Sequence, residues 1–436
     1  MIALFKSQIV QRLGTIKSVG ALAAGNLLSS LLGAVAGLLV ARFISPEVNG
    51  QFRLYTIPLM YLTFLHLGTF DGLYRQIPFY IGKNQPEQVN RMASSSGAWN
   101  WFVSVFVAFV FVCLALWCSL RGDWLGVAGW MAQAITCFSI FYGGYMGSTY
   151  RTLNNFVLLA KIQLVQAVIA FCLVLTVVFW GFYGLCLRSA LPVLIAVIWF
   201  HCARPLKIDL RFDLSAFKDV IKVGAPLCFW GTLYSSIWTA TEFALVLHFG
   251  GLKAVGLFSV AHIIRESFTV LPQAVHQVIM PRVVESFARH NGVGEYFKRT
   301  VWVTLGLGLL MLLLCLLGAA ALKYFVPVFL PRYTDGIDLM QICLYFSIVQ
   351  ALQIPLNGLA ATGDAWLWGR SILVGSIVFV AFIFLLGSVL SGALLVVVSS
   401  LCGRIGRTVF AYWDFHLLLR RENTNDLTPI IKATCQ

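Results

Sequence analysis

Apolar residues run along this chain in long unbroken blocks, without the period-two alternation of strands or the narrow stripes of soluble helices. A helix that crosses a bilayer needs about 20 mainly apolar residues. Twelve such runs occur, over 19–41, 54–80, 98–118, 125–147, 162–180, 185–203, 223–247, 255–281, 301–322, 338–361, 371–388 and 394–416. The longest connections, 204–222 and 282–300, are too short to hold an inserted domain. The pattern predicts an all-α integral membrane protein with twelve transmembrane helices.

Composition sharpens that picture. Of 436 residues, 59% are hydrophobic and only 11% charged, against roughly 25% charged in a soluble domain; the mean hydropathy is +0.85. A disordered chain, a collagen, a disulfide scaffold and a soluble enzyme with a small anchor are all excluded. The net charge of +14 comes from 31 Lys+Arg against 17 Asp+Glu. Twenty of those bases fall on the side of the predicted membrane that holds both termini, six on the other side, and five (Arg75, Arg188, Arg265, Arg404, Arg407) inside spans. Loop bases mark the cytoplasmic face, so both termini are expected in the cytoplasm. The excess charge is then topological and implies no nucleic acid. The lead-in with Lys6, Arg12 and Lys17 has no signal-cleavage pattern and reads as a retained cytoplasmic tail. All 11 cysteines except Cys435 lie in apolar runs without ligand spacing, so no metal site, disulfide framework or cofactor is expected.

The chain repeats itself. Placed without gaps, Gly25–Phe52 and Gly231–Phe258 agree at ten positions, including Gly25/Gly231, Ser29/Ser235, Ser30/Ser236, Phe43/Phe249, Gly50/Gly256 and Phe52/Phe258. Agreement at Leu or Val means little in a membrane helix; agreement in Gly-x-x-x-Ser-Ser and Phe-x6-Gly-x-Phe means more. The repeat is six spans long, and six is even, so the two halves insert in the same direction. Parallel repeats of this kind belong to transporters, with a site between the halves. The expected domains are a six-helix bundle over 1–203, an amphipathic cytoplasmic linker helix over 204–222, a second six-helix bundle over 223–416, and a cytoplasmic tail over 417–436.

Several segments resemble bacterial oligosaccharide (Wzx-type) flippases of the MOP exporter superfamily. They are Ala41-Arg-Phe-Ile-Ser-Pro-Glu-Val-Asn-Gly50-Gln-Phe, Phe212-Asp-Leu-Ser-Ala-Phe-Lys218 with Gly224-Ala-Pro-Leu227, Gly251-Leu-Lys-Ala-Val-Gly256-Leu-Phe-Ser-Val-Ala261, and Met280-Pro-Arg282. The likeness covers nearly the whole chain in span count and spacing. One departure is that the Asp-Arg common in such proteins near the end of span seven reads Glu242-Phe243 here, so any role of that Arg has no counterpart. The resemblance implies transport of an undecaprenyl-diphosphate-linked oligosaccharide across the bacterial inner membrane. Polymerases or ligases would then build O-antigen or another polysaccharide from it.

Ionisable groups at membrane depth cost about 2.5–3.5 kcal/mol each on insertion scales and persist where they face protein or water. At 100° per residue, His262, Arg265, Glu266, Thr269, Gln273, His276 and Gln277 share one face of span eight, and Pro272 offers a place to bend. Two readings fit. The stripe is interior glue between helices, or it is a hydrophilic wall where Arg265 meets a diphosphate and His262, Gln273 and His276 meet sugar hydroxyls. Glu242 on span seven is either a coupling site for H+ or Na+ or a buried salt bridge to Arg265, and Glu266 is a further coupling candidate. Asp71 and Arg75, at i, i+4 on span two, form an intrahelical pair or serve coupling and substrate. Arg188 and Arg404 are further candidates for a cationic cavity. Arg407 and Asp414 lie near enough to a span end to snorkel.

No phosphate-binding loop occurs, since Gly82-Lys83-Asn84 lacks both the hydroxyl and the upstream glycine, and no Asp-x-Asp occurs. No catalytic residues are therefore assigned. The rival reading within the same superfamily is a multidrug exporter of organic cations. A cation pocket favours acids and aromatics over arginines, and the buried bases argue for an anionic lipid headgroup.

Overall fold

The computed structural model describes residues 24–206, 209–290, 293–356 and 365–423. The lead-in through Lys17, Cys435, and the side chains of Gln277 and of Met280 to Arg282 lie outside what is described. Among the described residues there is no strand. The helices are α1 (Ala24–Phe43), α2 (Pro46–Leu62), α3 (Thr69–Gly82), α4 (Pro86–Leu120), α5 (Trp124–Phe138), α6 (Gly144–Thr152), α7 (Phe156–Cys172), α8 (Val174–Trp180), α9 (Phe182–Cys202) and α10 (Leu214–Thr232). They continue with α11 (Trp238–His290), α12 (Val293–Phe329), α13 (Ile337–Leu344), α14 (Phe346–Leu352), α15 (Ala365–Leu386) and α16 (Gly392–Asn423).

Among the described residues, 10 helices are long and apolar enough to cross a membrane. The difference from twelve predicted runs has two sources. The runs predicted as spans seven and eight lie in one apolar stretch, Leu214–His276. The run predicted as span two is broken into α2, a 3-10 turn over Thr63–His66, and α3. Leu67 and Gly68 are both left-handed there, with φ 50° and 81°. Gly68 is required at that break, because a Cβ on it would run into the backbone of Gly224. The backbone of α11 leaves helical angles at Gly251 (φ 71°, ψ −171°) and runs helically through Pro272, where the sequence places a bend.

Apolar side chains point out and small polar ones point in. Along α4, Phe102, Phe106, Phe109, Leu116 and Leu120 are exposed while Ser96, Asn100 and Ser104 are fully buried on the opposite face. A soluble helix has the reverse arrangement; lipid makes this one stable. Asn100 Nδ2 donates to Thr69 Oγ1 at 2.8 Å, so the buried amide also ties α4 to α3.

The chain gathers into two compact units, one comprising residues up to Ile44 with Gln51–Ala240, the other Ser45–Gly50 with the chain from Thr241 onward. In the first, Leu73, Ile77, Met92, Tyr145, Tyr150 and Val220 form one core. The helix expected over 204–222 begins only at Leu214 and continues into the apolar run. Residues 209–213 are instead a non-helical strap held on α4. Ser94 Oγ accepts from the Arg211 amide (2.8 Å) and Ser95 Oγ from the Asp213 amide (3.2 Å). Asp213 then caps α10 through the amides of Ser215 and Ala216. The Arg91 guanidinium beside it, together with those donors, holds the Asp213 carboxyl well below the usual carboxylate range.

In the second unit, the repeat seen in the sequence becomes a physical contact. A Cβ on Gly50 would strike the carbonyl of Leu252, and a Cβ on Gly256 would strike the carbonyl of Pro46. These four positions are equivalent in pairs under the repeat, Pro46 with Leu252 and Gly50 with Gly256. The segments therefore cross reciprocally, each glycine resting on the other's preceding turn.

Candidate functional site

Four segments of the second unit meet at one buried point, and three of them bring charge. Glu242 of α11 is only 1% exposed, and Arg265, further along the same helix beyond the break at Gly251, is 3% exposed. Arg265 Nη1 donates to Glu242 Oε2 at 2.8 Å. From α16, Arg404 Nη2 donates to Glu242 Oε1 at 3.1 Å, and Ser400 Oγ donates to the same oxygen at 2.5 Å. From α14, Phe346 turns its ring to both bases, with guanidinium carbons at 4.9 Å (Arg265) and 5.5 Å (Arg404) from the centroid. Two guanidinium groups thus share one carboxylate and one aromatic ring.

The helix break makes this possible. Gly251 lets the chain reverse, so that Glu242 and Arg265, 23 residues apart, face each other. Ser400 and Arg404, four apart, then present their polar atoms from one side of α16. On the outer side of the cluster, exposed Glu266 approaches Arg265 Nε at 3.6 Å and His262 Nε2 at 3.8 Å. Two carboxylates, Glu242 and Glu266, thus stand against the two guanidinium groups.

The remaining residues singled out in the sequence are spread more widely. Along the stripe of span eight, Arg265 and Thr269 are buried, His262 and His276 half-buried, and Glu266 and Gln273 exposed. The stripe therefore grades from interior to surface. Asp71, Arg75 and Arg188 belong to the first unit. Arg75 is exposed, and no ion pair joins it to half-buried Asp71 among the described residues. Arg188 Nε donates to the Ala170 carbonyl at 3.0 Å. Arg407 and Asp414 do not reach for an interface as snorkelling would require. Arg407 is buried and donates to Gln353 Oε1 at 3.2 Å, while Asp414 takes both donors of Arg370 at 2.6 and 2.7 Å. Sequence reasoning missed Ser400, Phe346 and Gln353. The signal for the first was a Ser-Ser pair, Ser399–Ser400, four residues ahead of Arg404; Phe346 and Gln353 carried none.

Known proteins place this architecture. The chain covers 91% of its length on an inward-facing multidrug resistance MATE family transporter of the MOP superfamily, and 96% of that chain, at 14% identity and a TM-score of 0.73. An outward-facing structure of a multidrug resistance MATE family transporter matches at 14% identity and a TM-score of 0.68, covering 94% of this chain and 97% of that one. A MOP superfamily transporter from Pyrococcus furiosus, described by the reverse polarity of its binding pocket, matches at 13% identity and 0.64, covering 93% and 96%. At these identities the likeness shows the fold, which is that of the MOP transporters, in a multi-pass membrane protein. The sequence model of the polysaccharide biosynthesis protein family matches residues 39–331, most of the chain, and this chain belongs to that family. No curated protein matches it by sequence.

Proposed function

We propose that the chain is a flippase. It carries an undecaprenyl-diphosphate-linked oligosaccharide from the cytoplasmic to the periplasmic leaflet of the bacterial inner membrane by alternating access, with both termini in the cytoplasm. Polymerases or ligases consume the product in making O-antigen or another polysaccharide. Membership of a polysaccharide biosynthesis family and the transporter fold support this reading. The observation that carries it is the pair of guanidinium groups, buried Arg265 and half-buried Arg404, on buried Glu242.

Guanidinium binds phosphate through a planar fork that also fits a carboxylate. A diphosphate and Glu242 therefore compete for the same donors. Removing the charge of Glu242, by a proton or by a cation such as Na+ taken up at the carboxylate, takes that counter-charge from both bases and leaves only exposed Glu266 beside Arg265. An incoming diphosphate neutralises the two bases, and its departure restores the internal pair. Coupling arises because neither exchange is favourable without the other. An organic-cation exporter needs a free acid and a free aromatic face. Here Arg265 and Arg404 already occupy both Glu242 and Phe346. The transfer breaks no covalent bond, and no catalytic residue is assigned.

The test is leaflet exposure in proteoliposomes. A fluorescent undecaprenyl-diphosphate oligosaccharide is challenged with a membrane-impermeant quencher, with and without protein and with imposed H+ or Na+ gradients. Protein-dependent exposure of the inner pool is expected. No exposure, with gradient-driven expulsion of a lipophilic cation, would give the protein to the multidrug reading.

A further inference from the structure

The first compact unit holds a cavity of about 540 Å³ that the cluster at Glu242 does not involve. That volume suits a small-molecule site, typically 300–1,000 Å³. Its walls come from α3, α6, α7, α9 and the π-helical turn Ser139–Gly143 between α5 and α6. Turns of this kind recur at functional sites because the extra residue re-aims the helix face.

The cavity exists because of glycine. Gly143, Gly144 and Gly147 line it in place of side chains. A Cβ on Gly144 would come within 2.7 Å of the Phe70 ring, so that glycine is needed for packing. A Cβ on Gly147 would meet nothing within 4 Å. Glycine inside a helix costs about 0.8–1 kcal/mol relative to Ala, and at Gly147 no contact explains that cost. The open space does.

The polar groups in the cavity are those that recognise hydroxyls. Gln163 and Gln166 each offer a donor and an acceptor, and the Oε1 of Gln163 is buried with no hydrogen-bond partner. It is one of several buried side-chain polar atoms without a partner among the described residues, and its place on the cavity wall lets a ligand hydroxyl supply one. Asp71 lines the same space and forms no ion pair among the described residues. Ser139 and Ser148 add hydroxyls, and Tyr74, 58% exposed, adds an aromatic face. One acid, Asp71, is balanced by one base, Arg151, so the cavity favours neither a cation nor a diphosphate.

We propose that this cavity is a saccharide-binding site. Asp71, Gln163 and Gln166 pair with sugar hydroxyls, Tyr74 lies on a ring face, and Gly147 leaves room for the sugar. The identity of the ligand as the glycan of a lipid-linked carrier rests on the function proposed above; the site itself does not.

The experiment uses the purified full chain and two substitutions, Gly147→Leu, which fills the space from a more favourable helix residue, and Gln163→Leu, which removes the unpartnered acceptor. Saturation-transfer NMR is recorded with methyl glycosides of N-acetylglucosamine, galactose, glucose and rhamnose, with tetraphenylphosphonium and methylene diphosphonate as cation and anion probes. Transfer to at least one glycoside is expected, weakened at least ten-fold by either substitution, with melting temperatures equal to or above that of the parent. Transfer to no glycoside, or transfer undiminished in Gly147→Leu, overturns the proposal; so does transfer only to tetraphenylphosphonium or the diphosphonate. Vesicle exposure of the glycolipid separates the two readings. Exposure without glycoside binding removes the saccharide site and leaves the flippase. Glycoside binding without exposure does the opposite.

Discussion

At Glu242 the protein keeps a buried carboxylate between two guanidinium groups. Its two oxygens take donors from Arg265, Arg404 and Ser400, and the residue is 1% exposed. Breaking a buried pair by neutralising one member costs about 3–5 kcal/mol, because the other charge is stranded. Glu242→Gln keeps the shape and removes the charge, so it should lower the melting temperature of the purified protein markedly. Undecaprenyl diphosphate should then recover much of the loss in Glu242→Gln while moving the parent little, since in the parent the carboxylate already fills the site. A variant that is destabilised and gains nothing from the diphosphate would show that Glu242 is structural. This site was partly legible beforehand. Ionisable residues stand out in an apolar run, so Glu242, Arg265 and Arg404 could be found one by one. Their meeting could not, because it depends on the reversal at Gly251 and on a helix more than 130 residues further along the chain.

Between helices, glycine decides what can approach what. Gly50 and Gly256 each rest on a carbonyl of the other segment, Leu252 and Pro46 in turn. An added methyl at either position meets backbone, which cannot swing aside as a side chain does. Overpacking of this sort costs typically about 1–3 kcal/mol. Gly50→Ala and Gly256→Ala should each destabilise by that order. The double substitution should cost less than the two together, because the first already opens the crossing that the second would open. Additive losses in thermal or denaturant unfolding would mean that the two glycines act separately. The repeat pointed to both glycines without giving the reason for them. The break after α2 was hidden for a related reason. Thr-Phe-Leu-His-Leu-Gly over Thr63–Gly68 stays apolar enough to continue a span, and what ends the helix is the left-handed pair Leu67–Gly68 against Gly224. Hydropathy registers the solvent and is blind to such contacts.

For the molecule as a whole, the bilayer was the most legible feature, since it acts on every residue of every span. The exposed faces of α4 and α12 carry Phe109, Trp117, Leu309 and Leu316 where a soluble protein would place charge. Which side faces the cytoplasm rests on the distribution of loop bases alone, and it fixes the direction of transport. Two exposed positions on opposite predicted sides test it. Asn90 sits near the start of α4, next to Arg91; Thr334 lies in the turn Pro331–Gly336, on the side that carries few bases. With the native cysteines Cys113, Cys172 and Cys202 replaced, Thr334→Cys in intact spheroplasts should react with a membrane-impermeant maleimide at once. Asn90→Cys should react only after permeabilisation. The reverse pattern would invert the chain, and with it the direction of any flipping, while leaving the cluster at Glu242 and the cavity at Gly147 unchanged. Orientation is set by bases near the span ends as the helices insert. The two sites are set by buried contacts that form only once the helices have packed.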